Sequence, residues 1–162
     1  MPYASIADVP PSLSSLSLKA ANLWSEIYDS RIEAGDRAER AAVVAWAEVR
    51  RRRPDEERHD VPKGVREAAQ RALDWRARYG AATKGGTATG WKRARQLARE
   101  DDVSGSDIVT IAAWWARHAK NAREVSDEYV GTPWKDAGYV SGLLWGGLAG
   151  RRWAESLRRR RD

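Results

Sequence analysis

GTPWKDAGYVSGLLWGG, residues 131–147, poses the question on which the fold turns. Five of these residues are glycine, and two tryptophans, a tyrosine and two leucines share the stretch. Glycine and proline normally interrupt regular elements, whereas tryptophan normally anchors a core. The segment is therefore a buried helix, a ligand loop or a surface held ready for a partner. Val140, Leu143 and Leu144 recur at i, i+3, i+4, with Ala137, Tyr139 and Leu148 extending the pattern, which favours helix. Thr132 is expected to cap its start, with Pro133 at the first helical position and Trp134 just inside. Gly138 and Gly142 lie four apart on one face, where another helix can approach closely. Gly146 and Gly147 then end the helix and let the next one, through Arg151–Trp153, fold back. The stretch predicts a core helical hairpin. It leaves open whether Trp134 and Trp145 are both buried or one is offered to a partner.

Working outward, the same periodicity recurs along the chain. Leu16, Ala20, Leu23, Trp24, Ile27 and Tyr28 predict a helix from about Ser12 or Ser17 to Ala34. Gly35 ends it, and Asp36 is a candidate cap for a second helix running to about Arg53. Ala38, Ala42, Ala45, Trp46 and Val49 mark its apolar stripe, and Pro54 stops it. Residues 54–64, PDEERHDVPKG, are polar and aperiodic, and form the expected linker. Further helices are expected over about 64–79, 91–100, 105–120, 136–145 and 150–160. Residues 80–90, GAATKGGTATG, are expected to be a flexible loop. Ser104 with Asp107 has the spacing of a capping box. No segment carries a strand pattern. The expectation is an all-α protein: a two-helix hairpin over residues 1–53, the linker 54–64, and a compact basic bundle over 65–162.

Composition supports that class and limits the chemistry. The 162 residues hold nine Trp and five Tyr but no Phe and no Cys. Alanine and arginine dominate over β-branched residues, which favours helix. Without cysteine there is no disulfide, thiolate metal site or cysteine nucleophile. No apolar run reaches the length of a membrane span, and MPYASIADVPPSL lacks a signal-peptide pattern. The chain is thus expected to act without a membrane, in the cytoplasm of a host cell or in a virion. His59 and His118 stand apart from other ligands, and Glu56–Glu57 and Asp101–Asp102 look solvated. Neither an enzyme nor a cofactor is expected.

Charge is the informative feature. Residues 1–62 carry 9 basic and 11 acidic side chains, whereas residues 63–162 carry 20 and 12. The net charge of +6 therefore comes from the later part, and it points to a polyanionic partner. LAREDDVSGSDIVTIAAWW, 97–115, matches a helix-turn-helix pattern at Leu97, Ala98, Val103, Ser104 and Ile108. Asp101 and Asp102 replace the apolar residue and glycine of the turn. That unit would place the helix opened by Ser104 in a major groove. Gly105, Ser106, Asp107, Val109 and Thr110 supply no Arg, Asn or Gln to read bases there. The preceding helix is the basic one, so phosphate contact is expected from Lys84, Lys92, Arg93, Arg95 and Arg99. Arg158, Arg159, Arg160 and Arg161 form a second basic run whose contacts would be salt-dependent. Gly85 and Gly90 have the separation of a nucleotide-binding loop, but Trp91 occupies the position of the required lysine. Trp134, Tyr139 and Trp145 are the candidates for contact with a protein partner.

Two resemblances join these observations. MPYASIADVP, ANLWSEIYDSRIEAG and AAVVAWAEVRRR together resemble the ChaB family of small helical proteins. Pro2, Tyr3, Val9, Pro10, Ile27, Tyr28, Ala45, Trp46 and Val49 carry the match, over about residues 1–53. The spacing after Pro10 departs from the family, as does the absence of an asparagine–tryptophan cluster near Ser30–Ile32. RALDWRARYG, GGTATGWKRARQLA, WWARHAKN and GTPWKDAGYVSGLLWGGLAGRRWA resemble a helical module found in tailed-phage proteins, over about 65–154. Leu148 stands where that module carries an acidic residue. Together they imply a phage or prophage origin, and with the positive balance of residues 63–162 the expectation is a small basic phage-type protein that binds DNA mainly through phosphates. The alternatives are a virion structural or interaction module and an inhibitor of a host enzyme.

Overall fold

The structure is a computed structural model that describes residues 3–52, 54–122 and 124–160. It divides into two compact units, Met1–Glu57 and Arg58–Asp162. Helix dominates, as expected, with seven α-helices and two three-residue strands among the described residues.

In the first unit, 3-10 turns at Ile6–Asp8 and Pro11–Leu13 precede the helices. Helix α1, Leu18–Glu33, begins where the Ser17 side chain accepts the Ala20 N–H. Helix α2, Ala38–Arg52, packs along it. Arg53, expected as its end, lies outside the described residues. Alanine lines the seam: Ala20, Ala21, Ala41 and Ala45 are all buried, so the two backbones approach closely. Val9 and Leu13 close one end beneath Tyr3, Trp24 and Trp46. The carboxylate of Asp36, the expected cap, is engaged by Arg31 and, at 3.8 Å, by Arg40.

The second unit begins inside the expected linker. Arg58–Asp60, strand β1, pairs antiparallel with strand β2, Asp102–Ser104, in the register Arg58↔Ser104. Val61 is buried and its N–H donates to the Asp101 carbonyl. No strand was legible because three residues are too few for a period-2 signal. Their pairing depends on a partner 44 residues away. Helices α3 (Lys63–Tyr79), α4 (Ala88–Arg99), α5 (Gly105–Ala122), α6 (Ala137–Leu144) and α7 (Gly147–Arg159) complete the unit.

Helix α6, from the opening stretch, is the hub, for it packs against α3, α4, α5 and α7. Eight residues, AGYVSGLL, carry no charge, so the helix loses little by being surrounded. Leu143 and Leu144 are buried against a core of Val65, Leu97, Ile108, Ile111 and Trp115, and Val140 is buried too. The paired glycines explain how a helix so short holds that position. A Cβ on Gly138 would fall inside 3.0 Å of the Asn121 carbonyl oxygen, and one on Gly142 inside 3.0 Å of that of Ala122. The end of α5 therefore lies directly on this glycine face. Gly146, at φ +88°, turns the chain in the left-handed region into α7. The cap differs from expectation: Thr132 makes no side-chain cap, and Pro133–Lys135 is a separate 3-10 turn. Asp136 caps α6 instead, accepting the Tyr139 N–H at 3.0 Å and the Ser126 N–H at 2.8 Å. A carboxylate takes two backbone donors at once, which a threonine hydroxyl does less well.

Candidate nucleic-acid interface

Helix α4 positions the expected cations. Thr87 caps its start by accepting the Gly90 N–H, and Gly90, Ala94 and Leu97 are buried on its inner face. That register turns Lys92, Arg95 and Arg99 outward, all three exposed. Among the described residues, none of the three meets a carboxylate. Helix α3 runs beside this face. The Arg66 guanidinium donates to the Ala98 carbonyl at 3.3 Å, and the Arg76 guanidinium lies 5.1 Å from the Trp91 ring centroid. Two further arginines thus flank the stripe, one near each end.

Arg93 does not belong to this surface. Its guanidinium donates to the Asp107 carboxylate at 2.7 Å and to Gln96, and it lies 5.5 Å from the Trp145 ring centroid. Its side chain is only 12% exposed. One position along from Lys92, it points across to α5 rather than outward. Burial would raise the Asp107 pKa, but Arg93, with Gln96 and Ser104, outweighs burial and holds the carboxyl below its ordinary value. The predicted capping box is present: the Ser104 hydroxyl accepts the Asp107 N–H, and the Asp107 carboxylate accepts the Ser104 N–H.

The helix-turn-helix pattern is satisfied by packing. Leu97, Val103, Ser104 and Ile108 are buried, and Ala98 packs against the same core. The acidic turn serves the fold as well. Arg58 pairs with Asp102 at 2.5 Å and Arg66 with Asp101 at 3.7 Å, so the two aspartates tie β1 and α3 to the turn. Opposite charge 35 or more residues earlier in the chain was the signal, and no local pattern displays it. Asp101, Asp102 and Asp107 thus crowd the start of α5, where a phosphate would have to approach, and Val109 and Thr110 are what it exposes. The basic face is therefore on α4 and not on α5.

The glycine loop is not a phosphate cradle. The Gly86 N–H donates to the Ser141 hydroxyl at 3.0 Å, and Gly85 lies so close to the Ala137 carbonyl that no side chain fits between them. Thr83 is buried, its hydroxyl donating to the Trp75 carbonyl at 2.9 Å. The loop is strapped to α6 and to the end of α3. Lys84 stands exposed on it, with Nζ donating to the Ala81 carbonyl.

The three aromatic candidates separate. Trp145 is a core residue, 6% exposed: Trp114 stacks on it at 5.3 Å, and its carbonyl accepts the Trp115 indole N–H at 3.2 Å. Trp134 and Tyr139 are half-buried around Trp75, and Trp134 stacks on Tyr79 at 4.0 Å. Arg158, Arg159 and Arg160 are exposed at the end of α7, and Arg161 lies outside the described residues.

No helix among the described residues is long and apolar enough to cross a membrane. Nor, among those residues, does any group of three or more His, Asp or Glu have the arrangement to hold a metal ion. The chain finds no match among protein-family models, curated proteins or solved structures.

Proposed function

We propose that the chain binds nucleic acid, with DNA as the first candidate, through phosphate contacts made by the outer face of α4. The observation that carries this is the exposed stripe Lys92, Arg95 and Arg99, spaced three and four residues apart on one helix and unmatched by carboxylates among the described residues. Such a stripe follows a phosphate backbone without reading bases. Arg76 extends it onto α3, and Arg158–Arg160 provide a second basic patch. The resemblance of residues 1–53 to ChaB proteins and of 65–154 to a tailed-phage module supports a phage or prophage setting. On this reading the chain works in a host cytoplasm or in a virion.

Titration of a short duplex at rising salt tests the proposal. Affinity is expected to fall by a factor set by about −0.9 in log–log slope per phosphate engaged. Failure to bind either a duplex or a single strand at about 50 mM salt, or binding with no salt slope, would refute it. The competing reading, protein docking through tryptophans, loses Trp145 to the core and rests on Trp134 and Tyr139 alone.

A further inference from the structure

Resting on that reading, we infer that the nucleic acid has a single-stranded segment, and that one of its bases stacks on the Tyr79–Trp134 pair. The two rings are nearly parallel, 12° apart with centroids 4.0 Å apart, and both are half-exposed. Trp75 supports Trp134 from the inner side in an edge contact at 6.5 Å. The pair is thus a rigid aromatic surface mounted on the core, where a mobile side chain would first have to be ordered.

Its surroundings select a polyanion. The Arg78 guanidinium lies 5.4 Å from the Tyr79 ring centroid. The Lys84 backbone N–H donates to the Trp134 carbonyl at 2.9 Å, which ties the exposed Lys84 to the Trp134 backbone. Lys135 follows Trp134 directly and is exposed. Arg76 sits one turn back on α3, over Trp91. Among the described residues none of these four cations meets a carboxylate. An acidic turn, Asp127–Tyr129, packs against Pro133–Lys135 and bounds the patch on one side. Cations around an exposed stacked pair are what a strand with unpaired bases requires: phosphates meet the charges, and a base meets the rings. In a duplex the base faces are covered by their neighbours, so the aromatic pair would contribute nothing. Trp91, beneath Arg76, immediately precedes Lys92, the first cation of the α4 stripe.

The test compares an oligo(dT) and an oligo(rU) of about 20 nucleotides with a duplex of the same length, for the wild-type chain, Trp134→Leu and Tyr79→Leu. Far-UV circular dichroism and a thermal melt establish that each variant is folded. Loss of one stacked base is expected to weaken single-strand binding by about 5- to 100-fold while duplex binding stays within about twofold. The double substitution Lys84→Glu with Lys135→Glu, which leaves the rings in place, is expected to weaken single-strand binding and flatten its salt slope. Single-strand affinity unchanged in folded Trp134→Leu and Tyr79→Leu overturns the inference, leaves the α4 proposal standing, and assigns the pair to a protein partner. Absence of binding by the wild-type chain to every oligonucleotide overturns the α4 proposal, and this inference with it.

Discussion

Adding one methyl group to Gly138 or Gly142 is the most direct challenge to the account of the hub helix. Each Cβ would fall inside 3.0 Å of a backbone carbonyl oxygen of α5, and that of Gly142 also 3.1 Å from Trp115 Cη2. A carbonyl in a helix cannot rotate aside, so α6 and the end of α5 must separate by on the order of 1 Å to restore ordinary contact. Overpacking of this kind costs about 3 kcal/mol at the upper end of its usual range. Alanine returns about 1 kcal/mol through its better helix propensity. The net loss is about 2 kcal/mol, which lowers Tm by roughly 8–16 °C for a unit near 100 residues. The same substitution at Gly64, in the first turn of α3, meets only the Ala149 Cβ at 3.4 Å. There the propensity term stands alone and stability should rise by up to about 1 kcal/mol. Thermal melts followed by far-UV circular dichroism compare all three variants with the wild type. If Gly138→Ala and Gly142→Ala melt with the wild type or above it, close packing is not the reason for these glycines.

The other predictions address the site and the charges. Lys92→Glu, Arg95→Glu and Arg99→Glu together should abolish measurable duplex binding, and single reversals should each lower the magnitude of the salt slope by about 0.9. Reversal at Arg93 should instead act on stability, since Asp107 would lose its partner, and a urea melt separates the two outcomes. Asp107→Asn should destabilise the fold by about 1–3 kcal/mol at neutral pH. Its carboxyl sits below the ordinary value near 3.8, so the stabilisation is present above that value and disappears as pH falls through the lower folded pKa. The wild type and Asp107→Asn should therefore converge in stability at acid pH, which melts from pH 7 down to about 2 will show. Trp145→Ala, read as a core truncation, should cost about 3–5 kcal/mol in a urea melt, whatever ligand is present.

Residue spacing made the helices legible. Ala45 and Val49 in α2, Val65, Ala69 and Ala72 in α3, and Ile108, Ile111 and Trp115 in α5 show the 3.6 period and occupy the buried faces, although in α2 the seam runs through Ala41 while Ala38, expected in the stripe, is exposed. The capping box at Ser104–Asp107 was legible for the same reason, because cap and partner lie three residues apart. Part of the site was equally open to inspection: Lys92, Arg95 and Arg99 fall on one face of any helix drawn through them. Arg93 was not, since its distinction from Lys92 is a partner on the next helix. The role of the turn aspartates was hidden too, because Arg58 and Arg66 reach them from distant positions in the chain.

The sequence by itself thus determined the class of structure and the sign of its charge, both of which depend on local periodicity and on counting. Tertiary structure decided which glycines are contacts and which cations are free. GTPWKDAGYVSGLLWGG shows the difference. Its apolar spacing required a helix, but only the carbonyls of Asn121 and Ala122 explain why Gly138 and Gly142 lie where they do. Its two tryptophans are chemically identical. Trp145 is enclosed by Trp114, Trp115 and Arg93, whereas Trp134 is left half-open on Tyr79. Burial is a property of what else arrives at a position, and no residue carries that information alone.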